Sequence, residues 1–267
     1  MISSRLQVVK PVAKTYVPDT PEAVRAVQLA CPVTVQRYDK GAFFLKKGMI
    51  AVESDLRVRV NGREFSILTR TPGDDLSLIV GHLFTRSAIC ESGDMVDCSF
   101  SYHTTARAEV TLRTQSGIRR IYPSPRPVHV PAERLFAFKE TFERRQNLYK
   151  NTRSTHAAAL FSLDGEMLAF GEDVGRHNAF DKAIGRALLE SSLDRVAIAM
   201  LSSRLALELT VKAISANIPI LCGFSAATSS GVTYAEENNL TLVGSLREAS
   251  FNVYSNGWRI RAGRPAG

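Results

Sequence analysis

Gly171-Glu172-Asp173-Val174-Gly175-Arg176-His177-Asn178-Ala179-Phe180-Asp181-Lys182 is the stretch whose reading decides the fold. It sets Glu172, Asp173, Arg176, His177, Asn178 and Lys182 around one glycine turn, directly before an apolar helix. That mix is costly to bury and unnecessary for a simple turn. Backbone N–H groups at a helix start favour an anion, and Arg176 and Lys182 add positive charge beside them. Upstream, Thr155-His156-Ala157-Ala158-Ala159-Leu160 reads as a buried strand, Asp164-Gly165 as a hairpin turn and Met167 to Phe170 as the return strand. The block is strand, turn, strand, polar loop, helix, with its polar groups at one strand end.

The alternation continues downstream. Strands are expected at Val196 to Leu201, Ile218 to Cys222 and Leu240 to Val243, with helices at Leu205 to Asn217 and Ser229 to Asn239. Short apolar strands separated by helices predict an α/β sheet covered on both faces. Ligands in such sheets bind beyond the strand ends. Gly171 to Asn178, Ser202-Ser203-Arg204, Gly223 to Ser230 and the tail after Val243 all follow strands. They are expected to converge on one cleft holding His156, Asp173, His177 and Ser225.

The N-terminal half reads differently. Val33 to Arg37 alternates like a strand. Leu56 to Val60, the Asn61-Gly62 turn and Glu64 to Thr69 form the clearest hairpin. Thr71 is the expected cap of a helix with Pro72 at its first position and Leu76, Ile79, Val80, Leu83 and Phe84 on its apolar face. Further strands are expected at Val96 to Tyr102, Ala108 to Arg113 and Ile118 to Tyr122. Pro123, Pro125 and Pro127 mark a break, and Pro131 to Lys150 reads as a helical connector. The resulting organisation is an N-terminal arm (1–20), a smaller, mostly antiparallel α+β region (21–127), a helical connector (128–153) and an α/β domain (154–267).

Composition narrows the function. The chain of 267 residues carries a net charge of +8 and favours acidic partners. It has no lysine-rich tract, zinc finger or aromatic-interleaved basic patch, so the charge is read as suited to a phosphate-rich ligand and not to nucleic acid. The longest apolar run, Val196 to Leu201, is far short of a membrane span, and Met1 to Lys10 lacks a secretory apolar region. A cytosolic protein with no membrane partner is expected. Cys31, Cys90, Cys98 and Cys222 form no C-x-x-C pair and no zinc spacing, so no metal site is expected. Neither G-x-G-x-x-G nor G-x-x-x-x-G-K-[ST] occurs. Gly223-Phe224-Ser225-Ala226-Ala227 approaches the hydrolase turn G-x-S-x-G, with Asp173 and His177 as triad partners. The final glycine is missing and the chain order differs from that of the α/β-hydrolases, so a Ser225 hydrolase stands third among the readings.

The run Thr155 to Leu189 closely resembles the FdhD family of formate dehydrogenase accessory proteins. So, in the same order along the chain, do Thr71-Pro72-Gly73-Asp74-Asp75 with Gly81-His82-Leu83-Phe84, Ser202-Ser203-Arg204, and Leu240 to Gly244 with Phe251 to Tyr254. The resemblance implies a three-layer α/β/α, cytidine-deaminase-like domain. It does not imply deaminase chemistry: His156 is followed by Ala157 and Ala158, so the H-x-E motif is absent. It implies passage of sulfur from a cysteine desulfurase to the molybdenum bis(guanine dinucleotide) cofactor, carried as cargo, for a client formate dehydrogenase. A GDP-like nucleotide is an expected ligand, and a homodimer is left open. The cofactor's nucleotide would lie on Ser245, Leu246, Arg247, Glu248, Ala249 and Ser250. Asp173, Gly175, Arg176, His177, Asn178, Ser202, Ser203, Arg204 and Ser225 would complete the site.

Two departures qualify what the resemblance implies. The family pattern Arg-Gly-Asp-Arg is here Arg247-Glu248-Ala249-Ser250, without the second arginine. The family's persulfide C-x-x-C loop falls in Ser116 to Arg134, which holds no cysteine. Cys222, ending a strand at the expected cleft, is the substitute thiol. The second reading is a cofactor-binding chaperone that has lost sulfur transfer.

Overall fold

The computed structural model describes residues 28–262, leaving out 103, 104, 114–120, 122, 123 and 125. The arm at 1–20 and most of the strand expected at Ile118 to Tyr122 therefore lie outside the described residues. The chain enters through an antiparallel hairpin, β1 (Ala30–Asp39) and β2 (Ala42–Ala51). Only the first of these strands was expected. β3 (Ser54–Val60) and β4 (Arg63–Arg70) form the anticipated hairpin, with Asn61 left-handed at its turn (φ 48°). Then come α1 (Asp75–Thr85), β5 (Met95–Ser101) and β6 (Ala106–Leu112). These strands make a sheet in the order β4-β3-β6-β5; its outer pairings are antiparallel and the β3–β6 pairing is parallel.

The start of α1 differs from the expected cap. Asp74, left-handed at φ 53°, is the N-cap, and the Thr71 hydroxyl instead accepts a hydrogen bond from Val174 N at 3.1 Å. Thr71 is drawn into a buried polar cluster, and Gly73 and Asp74 turn the chain into the helix behind it. Leu76 is exposed, while Ile79, Val80, Leu83 and Phe84 are buried as expected.

β7 (Val130–Pro131), α2 (Ala132–Arg145) and α3 (Asn147–Thr152) lead to β8 (His156–Ser162) and β9 (Met167–Asp173). α4 (Arg176–Leu189), β10 (Val196–Leu201), α5 (Leu207–Ser215), β11 (Ile220–Gly223), α6 (Ser229–Glu237) and β12 (Thr241–Gly244) follow the predicted alternation closely. β13 (Asn252–Ser255) and β14 (Ile260–Arg261) close the described chain. The large sheet has the order β13-β12-β11-β10-β8-β9, with β10, β11 and β12 parallel and the flanking strands antiparallel.

Alternate residues of β8 point to opposite faces, which divides the core in two. Ala158 and Leu160 pack with Phe180, Ala183 and Ile184 of α4 and Leu209 of α5. Ala157, Ala159 and Phe161 pack with Leu135, Phe138 and Phe142 of α2. The stretch expected as a connector thus covers one face of the sheet, Phe138 stacking on Phe161 with centroids 5.1 Å apart. On the other face α1 lies against α4. A Cβ on Gly81 would fall 1.9 Å from the Asp181 carbonyl oxygen, and one on Gly185 would fall 1.9 Å from that of Ser77. Only glycine permits this approach. Through it Leu56, Val58 and Ala108 of the smaller sheet share a core with Ala158 and Leu160 of the larger.

Candidate functional site at the strand ends

His156, Asp173, Ser202, Gly223 and Gly244 all lie at one end of the six-stranded sheet, and the expected polar loops leave from there. Their side chains do not form one cleft. Three groupings result.

The first is a buried lock. Asp173 is fully buried. Its Oδ2 accepts from Thr71 N at 3.1 Å and pairs with Lys182 Nζ at 2.8 Å. Its Oδ1 accepts from Gly175 N at 2.8 Å and Asn178 Nδ2 at 3.1 Å. Lys182 also donates to Thr71 O, and Asn178 to Thr69 O. Every strong polar group here is satisfied internally, as burial requires. Asp173, Asn178 and Lys182 were expected at a ligand; the structure spends them on tying β9 and α4 to the Thr69–Thr71 backbone. Behind the lock, Asp181 receives Lys212 Nζ at 2.6 Å and Thr85 Oγ1 at 3.0 Å. Burial pushes the Asp181 carboxyl up, but Lys212 and His82 outweigh it and hold the group below the usual range.

The second grouping is a half-buried rim on the α4–α5 side. His156 Nδ1 lies 3.3 Å from Ser202 Oγ, which accepts from Ala157 N at 3.0 Å. Ser202 does not cap α5, whose N-cap is Ala206. His177 Nε2 meets Glu208 Oε2 at 2.9 Å. Burial lowers both imidazole pKa values; Arg176 lowers them further, while Asp173 opposes the shift at His156 and Glu208 opposes it at His177. Arg176 thus stands beside two imidazoles whose burial disfavours their charged forms; Gly175 is half-buried, and Arg204, two residues after Ser202, is exposed. His177 faces Glu208 and not Asp173, so the hydrolase triad with Ser225 is not assembled.

The third grouping is a cavity of about 370 Å³ on the α2 side, lined by Lys139, Glu143, Phe224, Leu246, Arg247, Glu248 and Ala249. Its volume lies within the range of small-molecule sites. Leu246 N donates to Gly223 O at 3.2 Å and Arg247 Nη1 to Phe224 O at 3.1 Å, joining the loops after β11 and β12. Ser245, left-handed at φ 54°, donates its N–H to Ser225 O at 3.0 Å and turns the tail toward the cavity. Lys139 sits over the Phe224 ring at 5.5 Å and pairs with Glu143 at 2.7 Å. The Arg247-to-Ala249 tail was expected; Lys139, Glu143 and Phe224 were not. The only signal for α2 was its mixture of aromatic and charged residues, and nothing local says which face of a sheet it will cover.

The helix start at Gly175 and the Arg247 tail were expected to contribute to one nucleotide site. They belong to β9 and β12, separated by four strand spacings or roughly 19 Å, and they lie toward opposite faces of the sheet. Cys222 is fully buried on the α2 side and its thiol is pushed up to about 12 by burial alone. A thiol in that state is not a nucleophile. Ser124 and Arg126, in the interval that holds no cysteine, are fixed at the far end of the strands. Asn239 Nδ2 donates to Ser124 O at 2.7 Å, Arg126 Nη1 to Val196 O at 2.5 Å, and the buried Arg259 to Ser124 O at 3.0 Å. No cluster of metal-ligating side chains occurs among the described residues, and no helix among them is long and apolar enough to cross a membrane.

A mixed sheet sandwiched by helices, with polar loops and a cavity at its strand ends, defines an α/β protein of the kind in which such an edge can serve as a site. The chain belongs to the FdhD/NarQ family, whose model matches residues 110–261. It is 34% identical over 251 residues to the sulfur carrier protein FdhD of Mycobacterium tuberculosis, covering 79% of this chain and 91% of that one. It is 35% identical over 258 residues to the sulfur carrier protein FdhD of Saccharolobus solfataricus, covering 85% and 99%. In fold it matches a solved structure from Desulfotalea psychrophila, described as a formate dehydrogenase accessory protein. The TM-score is 0.76 at 23% identity, over 87% of this chain and all of that one.

Proposed function

We propose that this protein serves the maturation of a formate dehydrogenase in the cytosol by holding the molybdenum bis(guanine dinucleotide) cofactor while sulfur is added to it. The observation that carries this reading is the cavity between α2 and the Ser245–Ser250 tail. Arg247 and Lys139 supply cations for phosphate, and the Phe224 ring with Leu246 supplies an apolar wall for a purine. The half-buried rim of Arg176, His156, His177 and Ser202, two to four strands away along the sheet, suits a second anionic group of so extended a cargo. On this reading the two-faced sheet is of cytidine-deaminase-like type.

The family relatives are named sulfur carriers, which supports sulfuration as the process served, with a cysteine desulfurase as the source. The buried state of Cys222 favours the cofactor-holding role for this chain over covalent carriage at that residue. Calorimetry with GDP and with ATP tests the reading. GDP is expected to bind and ATP to bind more weakly; equal binding of both, or of neither, would count against it.

A further inference from the structure

A second cavity, of about 420 Å³, lies beside β9, the end strand of the large sheet. It shares α2 with the cavity at the Arg247 tail: Lys139 and Glu143 line that one, and Arg145 and Asn147, at the end of the helix, line this one. Most charged groups in its wall are already engaged. Lys182 donates to Asp173 Oδ2 at 2.8 Å, Thr71 O at 2.8 Å and Glu172 O at 3.3 Å, which uses each of its donors. Asp74 pairs with Arg186. Glu172 is spent on the start of α3, accepting from Leu148 N at 3.1 Å and Tyr149 N at 2.9 Å. Arg145 is different. It is exposed, no carboxylate pairs with it among the described residues, and its guanidinium carbon stands 6.0 Å from the centre of the Phe170 ring. Its fork of N–H donors is left for a ligand.

We propose that this cavity is a second ligand site, for a phosphate monoester carried on a flat ring, with Arg145 as the group that grips the phosphate. A planar guanidinium matches phosphate oxygens in pairs. Pro72, Leu148 and Phe170 supply apolar wall for the ring, in a volume within the range of small-molecule sites. The same construction recurs at the tail cavity. Phe142 of α2 is fully buried and meets both walls edge-on, Phe170 with centroids 6.0 Å apart and Phe224 with centroids 5.0 Å apart. Arg145 follows Phe142 by three positions and stands over the first ring; Lys139 precedes it by three and stands over the second, at 5.5 Å. Residues three apart are neighbours on a helix surface. One helix thus sets a cation above an aromatic wall on each side of Phe142. The second site rests on Arg145 and Phe170 and does not depend on which ligand fills the first.

Calorimetric titration of the full chain with phenyl phosphate, inorganic phosphate and benzoate tests the proposal. Arg145 is exposed and has no polar partner among the described residues, so Arg145→Ala should fold with unchanged thermal unfolding. The wild type is expected to bind phenyl phosphate at a site that Arg247→Ala leaves intact. Arg145→Ala should weaken that site about tenfold or more, the worth of one charge-assisted hydrogen bond. Arg145→Lys keeps the charge and loses the fork, and should fall between the two. Inorganic phosphate should bind about tenfold more weakly than phenyl phosphate, because it leaves the apolar wall uncovered. Absence of phenyl phosphate binding in the wild type overturns the proposal, as does binding unchanged in Arg145→Ala. So does binding lost altogether in Arg247→Ala, which would assign it to the tail cavity. Inorganic phosphate binding as tightly as phenyl phosphate would remove the ring from the site, and benzoate binding as tightly would remove the phosphate; either result overturns it. GDP binding at the tail survives any of these failures, and a chain that binds no GDP would still be expected to show the Arg145 site.

Discussion

The lock around Asp173 and the cavity around Arg247 look alike in sequence and differ completely in the structure. Both are polar segments that follow a strand, and both carry arginine, carboxylate and serine or asparagine. The Asp173 side chain is fully buried and every partner is a backbone group or side chain of the same molecule. Arg247, Glu248 and Ala249 are exposed around an open cavity. A dense polar motif therefore marks a place where polar groups must be matched, and tertiary packing decides whether the match comes from within or from a ligand.

The largest effect should come from breaking the lock. Asp173→Ala leaves Lys182 charged and buried without its partner, and should cost about 3–5 kcal/mol of stability in urea unfolding. A change below about 1 kcal/mol would mean that the cluster is not the internal latch described. The converse holds for the cavity. Arg247→Ala should leave unfolding nearly unchanged and weaken GDP binding by about 1.5–3 kcal/mol, the worth of a charge-assisted hydrogen bond. Equal losses in stability and binding would erase the contrast between the two regions.

A smaller effect concerns the rim between them. His156 and His177 have folded pKa values below the ordinary 6.5, first because of burial and then because of Arg176. The unfolded chain therefore binds more protons than the folded one as pH falls below 6.5, and stability should rise with pH through that window. His156→Gln should flatten part of the slope in thermal unfolding measured across pH 5 to 7, roughly the range in which an imidazole changes charge. An unchanged slope would remove His156 from the buried rim. The smallest effect is expected at sulfur. With its thiol buried and held up to about 12, Cys222 should resist alkylation in the native protein. Cys222→Ser should leave any labelled sulfur received from a desulfurase unchanged. Loss of label in that variant would instead make Cys222 the carrier.

Much of this was legible along the chain because it depends on local chemistry. Alternating apolar runs gave the strands and helices from His156 to Gly244 nearly residue for residue, and Asn61-Gly62 gave its hairpin. The polar loops were correctly placed at one end of one sheet. The second strand of the N-terminal hairpin was not anticipated; its Phe43-Phe44-Leu45 run is apolar without alternation and lies exposed on both faces, so no buried-face period marks it. Thr71 was misread as a cap because cap chemistry is local, whereas its actual partners, Asp173 and Val174, lie about a hundred positions away.

The sequence by itself determined the order of elements from β8 to β12, the family, the absence of a thiol between Ser116 and Arg134, and the residue types available at the strand ends. Those follow from side-chain chemistry and short-range periodicity. Tertiary structure alone decided that α2 covers the face carrying the cavity, that Gly81 and Gly185 bring α1 and α4 into contact, and that Asp173 is sealed in while Arg247 is left in water. Strand order and facing are set by long-range packing, and the burial that fixes a polar group's role exists only once distant segments have met.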